Sequence, residues 1–150
     1  PKMQLVSERF GVAESLDDSY RSAQDLMRAH PDLKGFLAFG SQGPIGAGRA
    51  VADARKDDRI AVVGSFSPGQ GAKLVRDGVI REGFIWNPAL AGEVIVHVGK
   101  MLIDGREPRD GMEIPGLGKV QVDRERRNIQ GQKLEPINRQ TIDRLVGLGL

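Results

Sequence analysis

Short apolar runs alternate with amphipathic stretches along the first 86 residues, the pattern of strands and helices following one another. We predict four strands, at residues 3–6, 35–39, 60–63 and 80–86. Three helices separate them: one capped by Ser15 and ending near residue 28, one begun by Pro44, and a short one that stops at Gly78. This order predicts right-handed βαβ units. The fold class is therefore α/β, a three-layer αβα arrangement with a mostly parallel sheet.

The second predicted strand and the end of the fourth carry the most specific expectations. Residues 35–39 are continuously apolar, which predicts a strand covered on both faces. The fourth strand ends at Trp86 and a helix follows at once, because Asn87 suits the N-cap and Pro88 the first helical position. Ligands of open α/β sheets bind where strands end, so Trp86 and Asn87 indicate a binding mouth. The alternative is a core tryptophan beside an ordinary cap.

The helix after Pro88 is unusually apolar for a small domain. One stripe along it is formed by Leu90, Val94, Val98, Met101 and Leu102, and Ile95 and Ile103 widen it. Because an apolar surface of that size favours association, we expect a homo-oligomer or a domain swap through these residues. After residue 106 the βα rhythm is lost, and a loop rich in glycine and proline follows.

Composition excludes several classes of protein. The 150 residues suit one domain, and 22 Lys and Arg against 20 Asp and Glu argue against a nucleic-acid surface. There is no cysteine, which excludes disulfides, thiolate metal sites and cysteine nucleophiles. We see neither a membrane-spanning run nor a signal peptide. The chain opens on Pro1 rather than Met, which indicates a processed product or a fragment.

The sequence shows no catalytic constellation. His30 and His97 lack a metal-ligand spacing, and no phosphate-binding loop or nucleophile elbow is present. We therefore predict no enzyme, no catalytic residue, no metal and no cofactor. What remains is a set of loops that follow the strands and carry hydroxyls, amides, one carboxylate and two aromatic rings, at residues 9–14, 40–42, 65–70 and 86–87. This inventory suits a small polyhydroxylated ligand.

Four segments resemble the C-terminal half of type 1 periplasmic sugar-binding proteins. They read LKGFLAFGS, IAVVGSFSP, GFIWNP and IPGLGKV, at residues 33–41, 60–68, 83–88 and 114–120. The Trp-Asn-Pro motif followed by Ile-Pro-Gly is similar to the branch that includes rhamnose-binding and autoinducer-2-binding proteins. The resemblance covers nearly the whole chain. It implies one lobe of a two-lobed protein that closes on a sugar without catalysis and then docks on a transporter permease.

The resemblance also implies the ligand-binding residues, which are Glu14, Gly40, Ser41, Gln42, Phe66, Pro68, Trp86 and Asn87. Two of them depart from the family pattern. Gly40 stands where relatives often carry Asp or Asn, so Ser41 or Gln42 is expected to substitute. Phe66 stands where ribose-type relatives carry Asp. These departures favour a less polar ligand, such as a deoxysugar or a furanosyl compound.

By the same resemblance the chain divides into three parts. Residues 1–88 form the ligand-binding lobe, residues 89–105 the helix that in the family packs on the N-terminal lobe, and residues 106–150 the return through the hinge. The expected function is the substrate-binding component of a sugar-type ABC transporter, with its parent protein in the periplasm. The alternative is the effector-binding domain of a LacI-type transcription regulator, which shares the fold.

Overall fold

A computed structural model describes residues 3–9, 11–131 and 134–150 of the chain. It divides into two compact units, each with its own interior. Unit 1 comprises Pro1–Ile85 and Pro136–Leu150, and unit 2 is the intervening segment Trp86–Glu135. In chain order the elements are α1 (Leu16–Ala29), β1 (Gly35–Ala38), α2 (Gly43–Asp53), β2 (Ala61–Ser65), α3 (Pro68–Asp77), β3 (Ile80–Ile85), α4 (Pro88–Ile103), β4 (Glu113–Ile114), β5 (Gly118–Lys119), β6 (Gln121–Asp123), β7 (Asn128–Gln130), β8 (Glu135–Ile137) and α5 (Ile142–Gly147).

Unit 1 is built on a four-stranded sheet with the order β1-β2-β3-β8. β1 pairs parallel to β2, and β2 pairs parallel to β3. Each of these pairs is joined along the chain by a helix, because parallel neighbours need a crossover. The predicted α/β fold with a mostly parallel sheet is confirmed.

The helices of unit 1 bury one apolar core. α2 packs on β1 and β2, α3 packs on β3, α1 lies against α2, and α5 lies against α3. A Cβ atom at Gly46 would lie only 2.6 Å from Ser19 Cβ, so this glycine sets the close approach of α2 to α1. The predicted cap of α1 is confirmed, since the Asp18 backbone N–H donates to Ser15 Oγ at 3.3 Å. The buried centre includes Ile45, Val51, Val62, Ile80, Ile137 and Leu145.

Two sequence predictions for the sheet are wrong. Residues 3–6 form no strand, and Met3 is 90% exposed. An apolar pattern forms a strand only where its backbone can hydrogen-bond to a neighbouring strand. The structure pairs β1 directly with β2 and gives residues 3–6 no such neighbour. Likewise β1 is not covered on both faces. It lies at the edge of the sheet, and Leu37 is 68% exposed on the side that the helices do not cover.

Unit 2 consists of α4 and two short hairpins, β4–β5 and β6–β7. Its core joins Val94 of α4 to Ile114 and Val120 of the hairpin region. Part of the predicted association surface is therefore covered: Val94 and Met101 are buried, at 8% and 4% exposure, and Leu90 and Val98 are half-buried. The remaining residues of that surface, Ile95, Leu102 and Ile103, are exposed, and association through them stays a prediction. The hairpins after residue 106 pack on Val94 of α4. The sequence showed only that the βα rhythm ends there and did not predict these hairpin contacts.

Candidate functional site

The site begins with two loops of unit 1 that precede α1 and α2. The Glu14 carboxylate accepts hydrogen bonds from the Ser41 backbone nitrogen at 3.2 and 3.3 Å and from Ser41 Oγ at 2.5 Å. A third link runs between the backbones, since Gln42 N donates to the Ala13 carbonyl at 3.0 Å. Glu14 and Ser41 are both exposed. The structure therefore brings together three predicted residues, Glu14, Ser41 and Gln42, at the surface beyond the end of β1.

Gly40 makes this arrangement possible. Its φ of +89° lies in the left-handed region that favours glycine. A Cβ atom there would lie 2.6 Å from Glu14 Oε1 and 2.8 Å from Ala13 Cβ, distances that no real Cβ could keep. The position has no room for a larger side chain, so polar contacts must come from its neighbours Ser41 and Gln42. Direct ligand contact by Gly40 itself stays a prediction.

The row of polar groups continues onto α3 through a residue that sequence reasoning did not select. Gln42 Nε2 donates to Gln70 Oε1 at 2.6 Å, and this bond links the N-cap of α2 to the first turn of α3. We name Glu14, Ser41, Gln42 and Gln70 the polar row. The signal for Gln70 was its place in the 65–70 loop after β2, where an amide at the start of a helix could have been chosen alongside Pro68.

Phe66 and Pro68 lie inside unit 1 rather than on its surface. Phe66 is 3% exposed, and its ring fills the space beside two glycines: a Cβ would lie 2.4 Å from the ring at Gly71 and 2.5 Å at Gly83. Pro68 is buried at the first position of α3. Both residues hold the loop after β2 in place. Their contact with a ligand stays a prediction.

An aromatic pair at the ends of β1 and β3 was also missed from the sequence. The rings of Phe39 and Phe84 lie 6.3 Å apart between centroids, tilted by 59°, in the range of favourable edge-to-face packing. Phe39 is 53% exposed and Phe84 half-buried. Phe39 follows the last residue of β1 and Phe84 is the penultimate residue of β3, and this place near the ends of parallel strands is the signal that could have identified them.

Trp86 and Asn87 belong to unit 2 and are described within it. Trp86 is 57% exposed, so the alternative of a tryptophan packed in the core is wrong. Asn87 caps α4 as expected, because its Oδ1 accepts from Ala89 N at 3.0 Å and from Leu90 N at 3.2 Å. Its amide nitrogen contacts no hydrogen-bond partner among the described residues. A ligand role for either residue stays a prediction.

The described part of the chain offers little acid–base or metal chemistry. Across residues 3–9, 11–131 and 134–150 no cluster of three or more His, Cys, Asp or Glu could hold a metal ion. A hydrogen bond from the Tyr20 hydroxyl to Asp53 Oδ2 at 2.8 Å raises the pKa of Tyr20 above its usual value, with burial and the Asp53 charge adding to the effect. Among the same residues, no helix has both the length and the apolar character to cross a membrane. What the polar row can do is exchange hydrogen bonds with hydroxyl groups.

The sequence matches the pattern of the periplasmic binding protein domain over residues 1–107. The chain belongs to this family. The resemblance is confirmed, and the first three of its four motifs, the polar row and the ends of β1, β2 and β3 lie within the matched range. One relative is the D-apiose import binding protein of Paraburkholderia graminis, which is 33% identical over 81 residues. Those residues are 54% of this chain and 24% of the relative.

Solved structures of periplasmic binding proteins share the fold. A sugar ABC transporter protein from Actinomyces odontolyticus superposes with a TM-score of 0.78 at 23% identity, covering 94% of this chain and 46% of that protein. An ABC transporter solute-binding protein from Agrobacterium vitis, solved with D-fucose bound, gives 0.69 at 18% identity, covering 93% and 42%. The chain thus spans less than half the length of each of these relatives.

Proposed function

We propose that the chain is the ligand-binding lobe of a sugar-binding component of an ABC transporter, acting without catalysis. The observation that carries this proposal is the family match over residues 1–107, which includes every loop of the predicted site up to Asn87. The relatives named above are a sugar import protein and transporter components, which favours transport over the LacI-type regulator. On this proposal the parent protein works in the periplasm and delivers its ligand to a membrane permease.

The chemistry of the polar row supports a hydroxylated ligand. An ionised Glu14 can only accept hydrogen bonds, Ser41 can donate and accept, and the two glutamine amides offer both. Ser41 Oγ already donates to Glu14, so a ligand hydroxyl would take over that acceptor and leave Ser41 free to bond a second hydroxyl. Neighbouring hydroxyls of a sugar present the same alternation of donor and acceptor. The row therefore suits a pair of adjacent hydroxyls.

The ligand we propose is a deoxysugar or a furanosyl sugar. Gly40 stands where relatives often carry Asp or Asn, and Phe66 stands where ribose-type relatives carry Asp, so each departure removes one polar contact. The exposed ring of Phe39 adds apolar surface just past the end of β1. The names of two relatives support this class: D-fucose is a deoxysugar, and D-apiose is a branched pentose that forms furanose rings.

The division of the chain follows from the same proposal. Residues 1–88 supply the ligand lobe, with Trp86 and Asn87 as its last contact, residues 89–105 the helix that meets the other lobe, and residues 106–150 the return segment. Because this chain supplies only one wall of a closing site, it makes about half of the contacts. We expect dissociation constants in the millimolar range for the chain alone, about −4 kcal/mol or weaker.

A titration of the 15N-labelled chain followed by NMR tests the proposal, since it detects weak binding and reports its place. D-Apiose and D-fucose should shift the amide signals of Ser41, Gln42 and Gln70, whereas D-ribose should shift them less. Glu14→Gln should weaken binding about tenfold or more, because a hydrogen bond to a charged group is worth about 1.5–3 kcal/mol. Glu8→Gln, another exposed glutamate, is the matched control. Saturating sugars that move no signal near the polar row would contradict the proposal.

A further inference from the structure

The outer edge of β1 carries backbone groups that no strand pairs. β1 stands at the end of the sheet order, and its one pairing among the described residues is the one to β2. Ala61 N donates to the Lys34 carbonyl at 2.9 Å, so Lys34 and Phe36 direct their backbone groups to β2. The N–H and C=O groups of Gly35 and Leu37 therefore point away from the sheet. Such an edge is a template for a further strand.

The helices of unit 1 leave one face of the same sheet open. Buried side chains of α1, α2, α3 and α5 join Val62 of β2 in a single core, on what we call the covered face. Leu37 and Val63 are partners in register on the opposite side of the pleat, where Leu37 is 68% exposed and Val63 half-buried. Gly35 and Ala61 form the next row on that side. We name these four residues the open face: Gly35, Leu37, Ala61 and Val63.

The segment before α1 is apolar and belongs beyond the outer edge of β1. Met3, Leu5 and Val6 are 90%, 73% and 44% exposed. α2 and α3 lie on the covered face while the chain steps from β1 to β2 to β3, and α1 packs beside α2 on the same face. Because such crossovers are right-handed, the segment that leads into α1 must lie outward of β1. Residues 3–6 are that segment.

The spacing of the helices leaves room for one more strand between residues 3–6 and β1. Neighbouring helices pack about 8–10 Å apart, and neighbouring strands lie about 4.8 Å apart. Each helix of the layer therefore spans about two strand positions. α1 needs two positions outward of β1, and residues 3–6 fill only one of them. This accounts for the lack of pairing on both sides of the gap, at β1 and at residues 3–6.

We propose that a strand and a helix of the parent protein, preceding residue 1, complete this sheet. The strand pairs parallel with β1 on one side and with residues 3–6 on the other. The helix links this strand to residues 3–6. Because that step runs away from β1, opposite to the steps made over α2 and α3, the right-handed rule places this helix on the open face, beside Leu37. The sheet of unit 1 then has a helix layer on each face.

The proposal rests on the premise, shared with the proposed function, that the chain is part of a longer protein. It covers 46% of the Actinomyces protein and 42% of the Agrobacterium protein, so such relatives hold ample chain for a unit of about 30 residues. A second copy fits the edge less well. Two β1 edges related by two-fold symmetry would pair antiparallel and would leave residues 3–6 without a neighbour.

Amide hydrogen exchange tests the strand. The chain is compared with a version extended at its N-terminus by the roughly 40 residues that precede it in the parent protein. Exchange at Gly35 and Leu37 should be fast in the chain and about a hundredfold slower or more in the extended protein. Phe36 and Ala38, which bond to β2 in both, are the internal controls. Residues 3–6 should gain protection together with Leu37.

Three results would overturn this assignment of the edge. Gly35 and Leu37 could keep their fast exchange in the extended protein. Residues 3–6 could stay unprotected while Leu37 slows, which would place the new strand outside the gap. Protection in the chain alone that grows with its concentration would assign the edge to a second copy. None of these measurements involves a sugar, so their failure leaves the proposed function untouched.

The helix is tested by a charge on the open face. Leu37→Asp should change the melting temperature of the chain by less than about 1 °C, because the side chain is exposed, and lower that of the extended protein by about 5 °C or more. Leu148→Asp, at a residue 58% exposed after α5, is the matched control and should have little effect in either. Equal effects of Leu37→Asp in both proteins would contradict a covering helix.

A measurement on the chain itself does not depend on how the extended protein folds. The same 40 or so residues, added as a synthetic peptide to the 15N-labelled chain, should shift the amide signals of Gly35 and Leu37 and leave that of Leu148 in place. A peptide at millimolar concentration that shifts neither edge signal would overturn the proposal.

Discussion

The Glu14 carboxylate accepts hydrogen bonds from both the backbone N–H and the hydroxyl of Ser41, a residue 27 positions later in the chain. These two residues lie in the loops just before α1 and α2, so one carboxylate links the N-terminal ends of two helices. In the proposed function this same carboxylate is the acceptor for a sugar hydroxyl. The same two groups, the Glu14 carboxylate and the Ser41 hydroxyl, would thus fix the conformation of the two loops before the sugar binds and contact the sugar afterwards.

Gly40 should tolerate no side chain. Gly40→Ala should lower the free energy of unfolding of unit 1 by about 1–3 kcal/mol more than Gly11→Ala, measured by urea denaturation. Both glycines have positive φ, but a Cβ at Gly11 would meet nothing within 4 Å, whereas one at Gly40 meets Glu14 and Ala13. Equal losses in the two variants would show that the contacts at Gly40 carry no cost of their own.

Phe66 should act first through packing. Phe66→Ala should cost about 3–5 kcal/mol of stability, as expected for a buried aromatic residue. Gly71→Ala should also destabilise, because the three atoms nearest to the new methyl group all belong to the Phe66 ring. Overpacking of about 1–3 kcal/mol exceeds the helix gain of about 1 kcal/mol.

Combining Gly71→Ala with Phe66→Leu should remove that clash. In the Phe66→Leu background, Gly71→Ala should become neutral or stabilising in thermal unfolding, because only the helix gain is left. A loss of the same size in both backgrounds would mean that something other than the Phe66 ring limits the space at Gly71.

Two substitutions of Asn87 can distinguish its role as the N-cap of α4 from its proposed contact with the ligand. Asn87→Ala should cost about 1 kcal/mol and speed hydrogen exchange of the first-turn amides of α4, since Ala89 N and Leu90 N lose their acceptor. Asn87→Asp keeps the acceptor and should preserve the protection of those amides. If Asn87→Asp still weakens sugar binding, the amide nitrogen is the group that the ligand contacts.

Tyr20 should make stability depend on alkaline pH. Its hydrogen bond to Asp53 raises the pKa of Tyr20, so the folded state favours the protonated phenol. The stabilisation is therefore complete below the unfolded pKa of about 10 and is lost as pH rises through the higher folded value. The difference in melting temperature between the natural chain and Tyr20→Phe should be present at pH 7 and shrink above pH 10. A difference independent of pH would contradict this account.

Local signals predicted most of unit 1. The Ser15 cap, the prolines in the first turns of α2 and α3 and the glycine after α3 are read directly from the chain, and their geometry depends on a few neighbouring residues. The edge position of β1 was not readable, because cover on a strand depends on which elements lie beside it. The same holds for residues 3–6, which are apolar but do not pair with another strand in this structure.

The sequence predicted the location of the candidate site better than the role of each residue in it. Strand ends identified the loops, but the role of each residue depended on contacts across the chain. Gly40 proved to be a steric requirement and Phe66 a buried anchor, whereas Gln70 and Phe39 joined the surface without any motif to mark them. On α4 the sequence showed one wide apolar stripe, and which of its residues are buried depended on the hairpins after residue 106, which pack on Val94.

Unit 1 is interrupted in the chain by the whole of unit 2, and this has a consequence for biosynthesis. The sheet places β8 beside β3, yet the ribosome must make all of Trp86–Glu135 between them. At about 5–20 residues per second, β3 waits several seconds with a bare edge. During that delay the nascent chain presents an unpaired strand that other chains can join, so the yield of folded protein should depend on elongation speed and on chaperones that shield such edges.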